Sequence, residues 1–330
     1  MTPSGPAPTE VVDDSDASIE RAVAVLRGGG LVAIPTETVY GLAADASDPA
    51  AVRRIFEAKG RPADHPVIVH LPGAEALERW ARPVPDDAHL LAAAFWPGPL
   101  TVVLERHPSV PTEVTGGRDT VALRVPDHPV AARLLSAFGG GLAAPSANRF
   151  GRVSPTTAAD VVADLGAVID LVVDGGPCTV GVESTIVELV GGAATVLRPG
   201  GVSAEELAEV LGRPVGHTPS GPARAPGMLA SHYAPATPLA VLDGEAALAR
   251  VAAEAARGRR VGVVSPNGLE APGAVAAWDA GGDVATYARW LYRWLRAADG
   301  EHLDLLVVVP PEGEGLGVAV ADRLRRAAHG

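Results

Sequence analysis

Apolar and polar positions along this chain fall into short blocks whose period changes repeatedly between that of a helix and that of a strand. Residues 18–27 predict a helix, with Ser18 as its cap and Gly28-Gly29-Gly30 closing it. The apolar run Leu31–Ile34 predicts a strand. Residues 49–58 predict a second helix, with Pro49 in its first turn and Val52, Ile55 and Phe56 on one face. Further strands are expected at 67–71, 101–104, 121–125, 142–144, 171–174, 185–190 and 195–198, and helices near 86–94, 128–137, 157–164 and 204–211. The two kinds mix without strict alternation, which predicts an α/β fold built on a twisted sheet of mixed direction.

The texture breaks at 212–238, which is dense in proline and has four glycines. This stretch is expected to be a linker lying across a neighbouring surface. Beyond it, strands at 239–242, 260–264 and 305–309 alternate cleanly with helices at 244–257, 284–298 and 318–328, the pattern of a small Rossmann-like parallel α/β domain. The expected organisation is a disordered tail (1–12), a larger α/β domain (13–211), the linker (212–238) and the small domain (239–330).

Composition narrows the class. At 330 residues and 47% hydrophobic the chain is expected to form about two domains with sizeable cores. No apolar run suffices to cross a bilayer, and the first thirty residues lack the basic start and apolar stretch of a secretory signal, so a cytoplasmic protein is expected. The single cysteine, Cys178, excludes an internal disulfide and a multi-thiolate zinc site. Net charge is −12, and neither 1–236 (net −10) nor 237–330 (net −2) is basic, which weighs against a general nucleic-acid binder.

Of the 27 basic residues 26 are arginine, and the one lysine is Lys59. In so arginine-biased a chain, a surviving lysine marks a place where a compact ammonium is needed, or a solvated residue not yet replaced. It stands in Lys59-Gly60-Arg61-Pro62, at a helix end, where two cations could clamp a triphosphate or merely complement the helix dipole. Hydroxyls, a carboxylate and a phenol cluster in Pro35-Thr36-Glu37-Thr38-Val39-Tyr40-Gly41-Leu42 after the first strand, as a ligand site or a capped turn. Pro145-Ser146-Ala147-Asn148 offers small donors, or an Asx-type turn. Arg124 sits in an otherwise apolar strand and must meet an anion there, either a ligand or an internal carboxylate. Gly313-Glu314-Gly315-Leu316-Gly317 resembles part of a dinucleotide fingerprint, but follows the last strand and is expected to be a tight turn.

Taken in order, Pro-Thr-Glu-Thr-Val-Tyr-Gly-Leu, Lys-Gly-Arg-Pro, Trp-Pro-Gly-Pro-Leu-Thr (96–101), Arg-Val-Pro (124–126), Pro-Ser-Ala-Asn, Glu-Ser-Thr-Ile (183–186) and Leu-Arg-Pro-Gly (197–200) resemble the YrdC-like family over about residues 15–211. Ala225-Pro226-Gly227-Met228, His232-Tyr233-Ala234-Pro235 and the small domain extend the similarity to the long, two-domain threonylcarbamoyl-AMP synthases.

The resemblance implies an enzyme that joins L-threonine, bicarbonate or CO2, and ATP into threonylcarbamoyl-adenylate with release of pyrophosphate, the first step of N6-threonylcarbamoylation (t6A) of tRNA. Lys59 and Arg61 would be catalytic, and Lys59, Arg61, Thr120, Ser146, Asn148, Ser154, Arg198 and Tyr233 would bind ATP. Thr36, His70, Arg124, Ala144 and Ser184 would bind threonine. Mg2+ would accompany ATP, held mainly by its phosphates. The product would pass to a tRNA threonylcarbamoyltransferase complex, with at most a weak tRNA contact and no membrane partner. Family linkers carry basic residues before His-Tyr, whereas this chain has Leu229-Ala230-Ser231. Two other readings stand beside this one. A carbamoyltransferase of the hydrogenase-maturation or antibiotic-tailoring type would need zinc-binding cysteines or another large domain. A non-catalytic RNA-binding module would need a basic surface.

Overall fold

The computed structural model describes residues 9–218 and 233–329. Residues 1–8 of the expected tail, and Met228 and Leu229-Ala230-Ser231 of the expected linker, lie outside the described residues.

Eleven strands form the first sheet: β1 (Glu10–Val12), β2 (Val32–Ile34), β3 (Gly41–Asp45), β4 (Ile68–His70), β5 (Leu100–Glu105), β6 (Thr120–Arg124), β7 (Leu142–Ala143), β8 (Leu171–Val173), β9 (Thr185–Val190), β10 (Ala193–Arg198) and β11 (Gly216–His217). Their order is β1-β8-β2-β3-β7-β4-β6-β5-β9-β10-β11. Pairing is mixed: β4–β6 and β5–β9 are parallel, whereas β2–β3, β4–β7, β5–β6 and β9–β10 are antiparallel. This is the mixed α/β sheet that the irregular alternation predicts.

Three expectations need correction here. The tail does not reach residue 12, because Glu10–Val12 pairs with β8 as an edge strand. The segment after 211 is not wholly free of regular structure, because Gly216–His217 pairs with β10. The first helix also starts earlier than its sequence suggests. It spans Asp16–Arg27 with Ser15 as the cap, and Ser18 is instead buried, its hydroxyl donating to Asp13 Oδ1 at 2.6 Å.

Local chemistry sets the other helices. Asp48 caps Pro49–Lys59, and Gly60 ends it in the left-handed region at φ 62°, which a glycine adopts without a Cβ clash. Thr157 with Asp160, and Ser203 with Glu206, form capping boxes at Ala158–Leu165 and Ala204–Leu211.

The second sheet holds β12 (Leu239–Val241), β13 (Val261–Ser265), β14 (Ala276–Asp279) and β15 (Leu305–Val308) in the order β12-β15-β13-β14, all parallel. Its helices Val284–Gly300 and Leu316–Ala327 turn toward the first domain. Val39, Val153, Val182 and Tyr233 are buried in one apolar cluster with Tyr287, Leu291, Tyr292 and Leu324. Each large apolar side chain so removed from water contributes about 1.5–3 kcal/mol, so the boundary between the domains is itself a core. Gly181, at φ 81°, fits against helix Val284–Gly300 so closely that a Cβ there would lie 2.4 Å from Arg289 Cα. Seven residues join β15 to helix Leu316–Ala327, so the connection is a loop rather than the expected tight turn, and Gly315, at φ 57°, ends it near Ser203.

Candidate active site

A cleft of about 520 Å3, counted out to its mouth, opens over the first sheet. Its floor follows from register. β4 and β6 place Ile68 opposite Ala122 and His70 opposite Arg124. Side chains alternate between faces along a strand, so His70 and Arg124 stand together on the face that carries Ile68. The walls come from loops at strand ends: Thr36 after β2, Ala144–Ser146 after β7, Ser184 before β9 and Arg198 at the end of β10. The site therefore occupies the sheet's face as well as its strand ends.

Three arginines converge on this cleft while almost sealed from bulk solvent: Arg61, Arg124 and Arg198. Arg61 Nη2 donates to Pro66 O at 2.8 Å, and its guanidinium lies over the Phe150 ring at 5.7 Å. Burial, with the Arg198 charge, lowers its pKa to about 10. Arg198 donates through Nε and Nη2 to Ser184 O at 3.1 and 2.8 Å, and through Nη2 to Ser184 Oγ at 3.1 Å. Arg124 Nη2 lies 2.7 Å from Glu37 Oε1 and its Nε donates to Gly98 O at 3.2 Å. Of the two anions expected for Arg124, the internal carboxylate is therefore present, and the side chain still borders the cleft.

Lys59 is buried and stands just behind the cleft rather than in its wall. Its Nζ donates to Ser146 O at 2.5 Å and to Asn148 O, which ties the Lys59-Gly60-Arg61 turn to the Pro145–Asn148 loop. Burial and the adjacent Arg61 charge push its ammonium well below the ordinary lysine range. Two carbonyls use two of its three donors.

His70 is buried with Nδ1 unpartnered, and burial together with Arg124 lowers its pKa to about 3, so its ring is neutral at physiological pH. Thr36 Oγ1 contacts Thr38 Oγ1 at 2.9 Å and donates to Val39 O at 2.7 Å, so it is both the capped turn and a cleft wall. Ser184 Oγ meets Thr101 Oγ1 at 2.8 Å. Tyr233 lines the cleft at φ 65°, and the next residue donates its N–H to Gly151 O at 3.0 Å.

All five residues expected to bind threonine thus line one cleft, as do Arg61, Ser146, Arg198 and Tyr233 of the set expected to bind ATP. Asn148 and Ser154 are buried behind it. Asn148 Nδ2 donates to Arg149 O and Arg152 O at 2.8 Å, and Ser154 Oγ to Glu183 Oε1 at 2.6 Å. Thr120 sits at the opposite end of β6 from Arg124, paired with Glu105, and does not line the cleft.

Sequence reasoning quotes Glu183 within the Glu-Ser-Thr-Ile motif but assigns it no role. It lines the cleft, and Tyr292 Oη and Arg323 Nε from the second domain each donate to its Oε2 at 2.8 Å. Burial raises its pKa, but Arg323, Arg198 and the Ser154 hydrogen bond outweigh burial and hold it at about 2. Arg323 had a legible signal: a charge on the same helical face as Val320 and Leu324, where only a buried acceptor could satisfy it. Among the described residues no group of three His, Cys, Asp or Glu could hold a metal, and no helix is long and apolar enough to cross a membrane.

Comparison with known proteins fits this geometry. The Sua5/YciO/YrdC family model, described as telomere recombination, matches residues 24–200, and the threonylcarbamoyl-AMP synthase C-terminal domain model matches 202–329. The threonylcarbamoyl-AMP synthase of Pyrococcus abyssi is 42% identical over 321 residues, covering 94% of each chain. That of Bacillus subtilis is 40% identical over 334 residues, covering 98% of this chain and 96% of its own. The crystal structure of P. abyssi Sua5 complexed with L-threonine superposes with a TM-score of 0.93 at 40% identity, covering 98% of both chains. With both family models matched in order and two relatives similar along almost their whole length, the chain belongs to the Sua5/YrdC family of two-domain threonylcarbamoyl-AMP synthases.

Proposed function

We propose that the three-arginine cleft is where L-threonine, CO2 or bicarbonate, and ATP are joined into threonylcarbamoyl-adenylate. The observation that carries this reading is the convergence of Arg61, Arg124 and Arg198 with an uncharged histidine in one buried pocket. The reaction brings together two anions. The threonine amine, its ammonium proton lost to water, adds to CO2 and gives a second N–H proton to water to form a carbamate. A carbamate oxygen attacks the α-phosphorus of ATP, and the bond to the β-phosphate oxygen breaks to release pyrophosphate. Fixed cations offset the repulsion between nucleophile and triphosphate, and do so most effectively out of water. Exclusion of water also protects the carbamate, which reverts in bulk solvent.

Arg124, beside neutral His70, takes the threonine carboxylate, with Thr36, Ala144 and Ser184 shaping the pocket around the side chain. Arg61 and Arg198 take the phosphates, with Ser146 and Tyr233 bordering the nucleotide. Lys59 acts from one layer back. Its two carbonyl contacts set the Ser146 loop, and an arriving phosphate would take its third donor and raise its depressed pKa. Asn148 and Ser154 hold the same wall from behind, and Thr120 takes no direct part. No side chain is assigned as general base; positioning and charge neutralisation carry the step. Mg2+ enters with ATP, held mainly by phosphate oxygens and water. The similarity to P. abyssi Sua5, whose crystal structure is a complex with L-threonine, supports the amino-acid half of this assignment.

The adenylate then passes, in the cytoplasm, to a tRNA threonylcarbamoyltransferase complex, and any contact of this protein with tRNA is weak, as its net charge of −12 favours. The test is mass detection of the adenylate after mixing protein, ATP, Mg2+, threonine and labelled bicarbonate. Appearance of the label in a threonylcarbamoyl-AMP mass supports the reading. No threonylcarbamoyl-AMP with threonine and labelled bicarbonate, but carbamoyl-AMP when carbamoyl phosphate replaces them, would overturn it.

A further inference from the structure

The second domain places one of its side chains inside the first. Arg323 has no solvent exposure, and a guanidinium sealed from water needs an acceptor for each nitrogen. It has them: Nε donates to Glu183 Oε2 at 2.8 Å, Nη1 to Asp322 Oδ2 at 2.9 Å and Nη2 to Pro199 O at 2.9 Å. Glu183 and Pro199 each adjoin a cleft residue, Ser184 and Arg198, which are bonded to each other. Arg323 therefore ties together the two chain segments that carry the Arg198–Ser184 contact. Its guanidinium also lies over the ring of Tyr233, another wall of the cleft, at 5.2 Å.

Electrostatics gives this arrangement a use. A pocket built to receive phosphates has an ionised carboxylate in its wall. Unopposed, that charge would repel the ligand and would draw Arg198, one of the cations meant for it, toward itself. In a buried site such terms are weakly screened.

We propose that Arg323 is a positioning residue for the nucleotide: supplied by the second domain, it cancels the charge of Glu183 in the cleft wall and leaves Arg61 and Arg198 to act on the phosphates of ATP. This rests on the reading that ATP phosphates enter this cleft. Tyr292 assists by donating to the same carboxylate oxygen without adding charge.

The experiment is equilibrium titration of full-length protein with Mg·ATP in the presence of threonine, at low ionic strength. Wild type is measured first, and absence of ATP binding there would overturn the reading of the cleft itself. Given wild-type binding, Arg323→Met, which keeps bulk and removes charge, weakens ATP by about tenfold or more. Adding Glu183→Gln to it restores ATP to within about threefold of wild type, because the charge that needed cancelling is gone. A purely structural clamp predicts the opposite, with the double variant no better than the single. Equal binding by wild type and Arg323→Met also sinks the proposal. Should Arg323→Met not fold, Glu183→Gln alone decides: with one negative charge fewer in the cleft wall and Arg323 still held by Asp322, ATP binds more tightly than in wild type, and equal or weaker binding overturns the proposal.

Discussion

Arg124 Nη2 and Glu37 Oε1 lie 2.7 Å apart in the floor of the cleft, yet neither Glu37 oxygen nor that nitrogen makes a well-aligned hydrogen bond. The charges are paired while Nη2 makes no hydrogen bond, which leaves that nitrogen to take an incoming carboxylate while Nε stays on Gly98 O. A lysine offers one compact charge where this arrangement uses a planar fork. Arg124→Lys should therefore raise the threonine KM by about tenfold or more with a smaller change in ATP affinity, measured by pyrophosphate release at varied threonine. An unaltered threonine KM would refute the assignment.

Lys59 braces two carbonyls while almost sealed from solvent, and a guanidinium is wider, planar and not an equivalent of a compact ammonium there. Lys59→Ala should abolish pyrophosphate release, and Lys59→Arg should lower kcat by about a hundredfold. Full activity of the arginine variant would show that charge alone matters at this position.

Glu183 carries a pH dependence of stability. Its folded pKa of about 2 lies below the ordinary 4.5, so its contribution is complete above pH 4.5 and is lost as pH falls toward 2. Thermal unfolding between pH 6 and pH 3 should show a shallower acid loss in Glu183→Gln than in wild type. Parallel curves would contradict the buried ion pair.

Gly181→Ala places a Cβ against the Arg289 backbone and strains a positive φ. The clash pushes helix Val284–Gly300 away from the Glu183 loop, and the φ strain adds a local cost. The expected result is a loss of about 1–3 kcal/mol in stability together with weaker ATP binding, read by thermal unfolding and titration. A variant as stable as wild type would mean that the domains separate easily.

Cys178 is buried, and burial raises its thiol above the ordinary range. A thiol reagent at pH 8 should leave the folded protein unlabelled and modify one site after denaturation.

Much of this was legible from residue order. The two capping boxes, Pro49 and Gly60 bound helices close to where the periodicity places them, because these ends are set by local hydrogen bonding. β3 was hidden, since Gly41–Asp45 holds one large apolar residue, Leu42, and its strand is imposed by neighbours on both sides. β14 was hidden for a similar reason, as an edge strand with alternate exposed positions. At the site, Arg124 stood out because an arginine in an apolar strand demands a partner, but only the fold could name Glu37. The lone lysine pointed to the right turn, while its two contacts to loop carbonyls were visible only in the fold. Glu183 was concealed because its partners lie 109 and 140 positions away, in another domain.

The apolar cluster that runs from Val39, Val153 and Val182 into Tyr287, Leu291 and Leu324 has a calorimetric consequence. Two folds that share a core cannot melt in turn without one baring a greasy scar. Heating should therefore give a single endotherm, and selection acting on either half must keep the other in step.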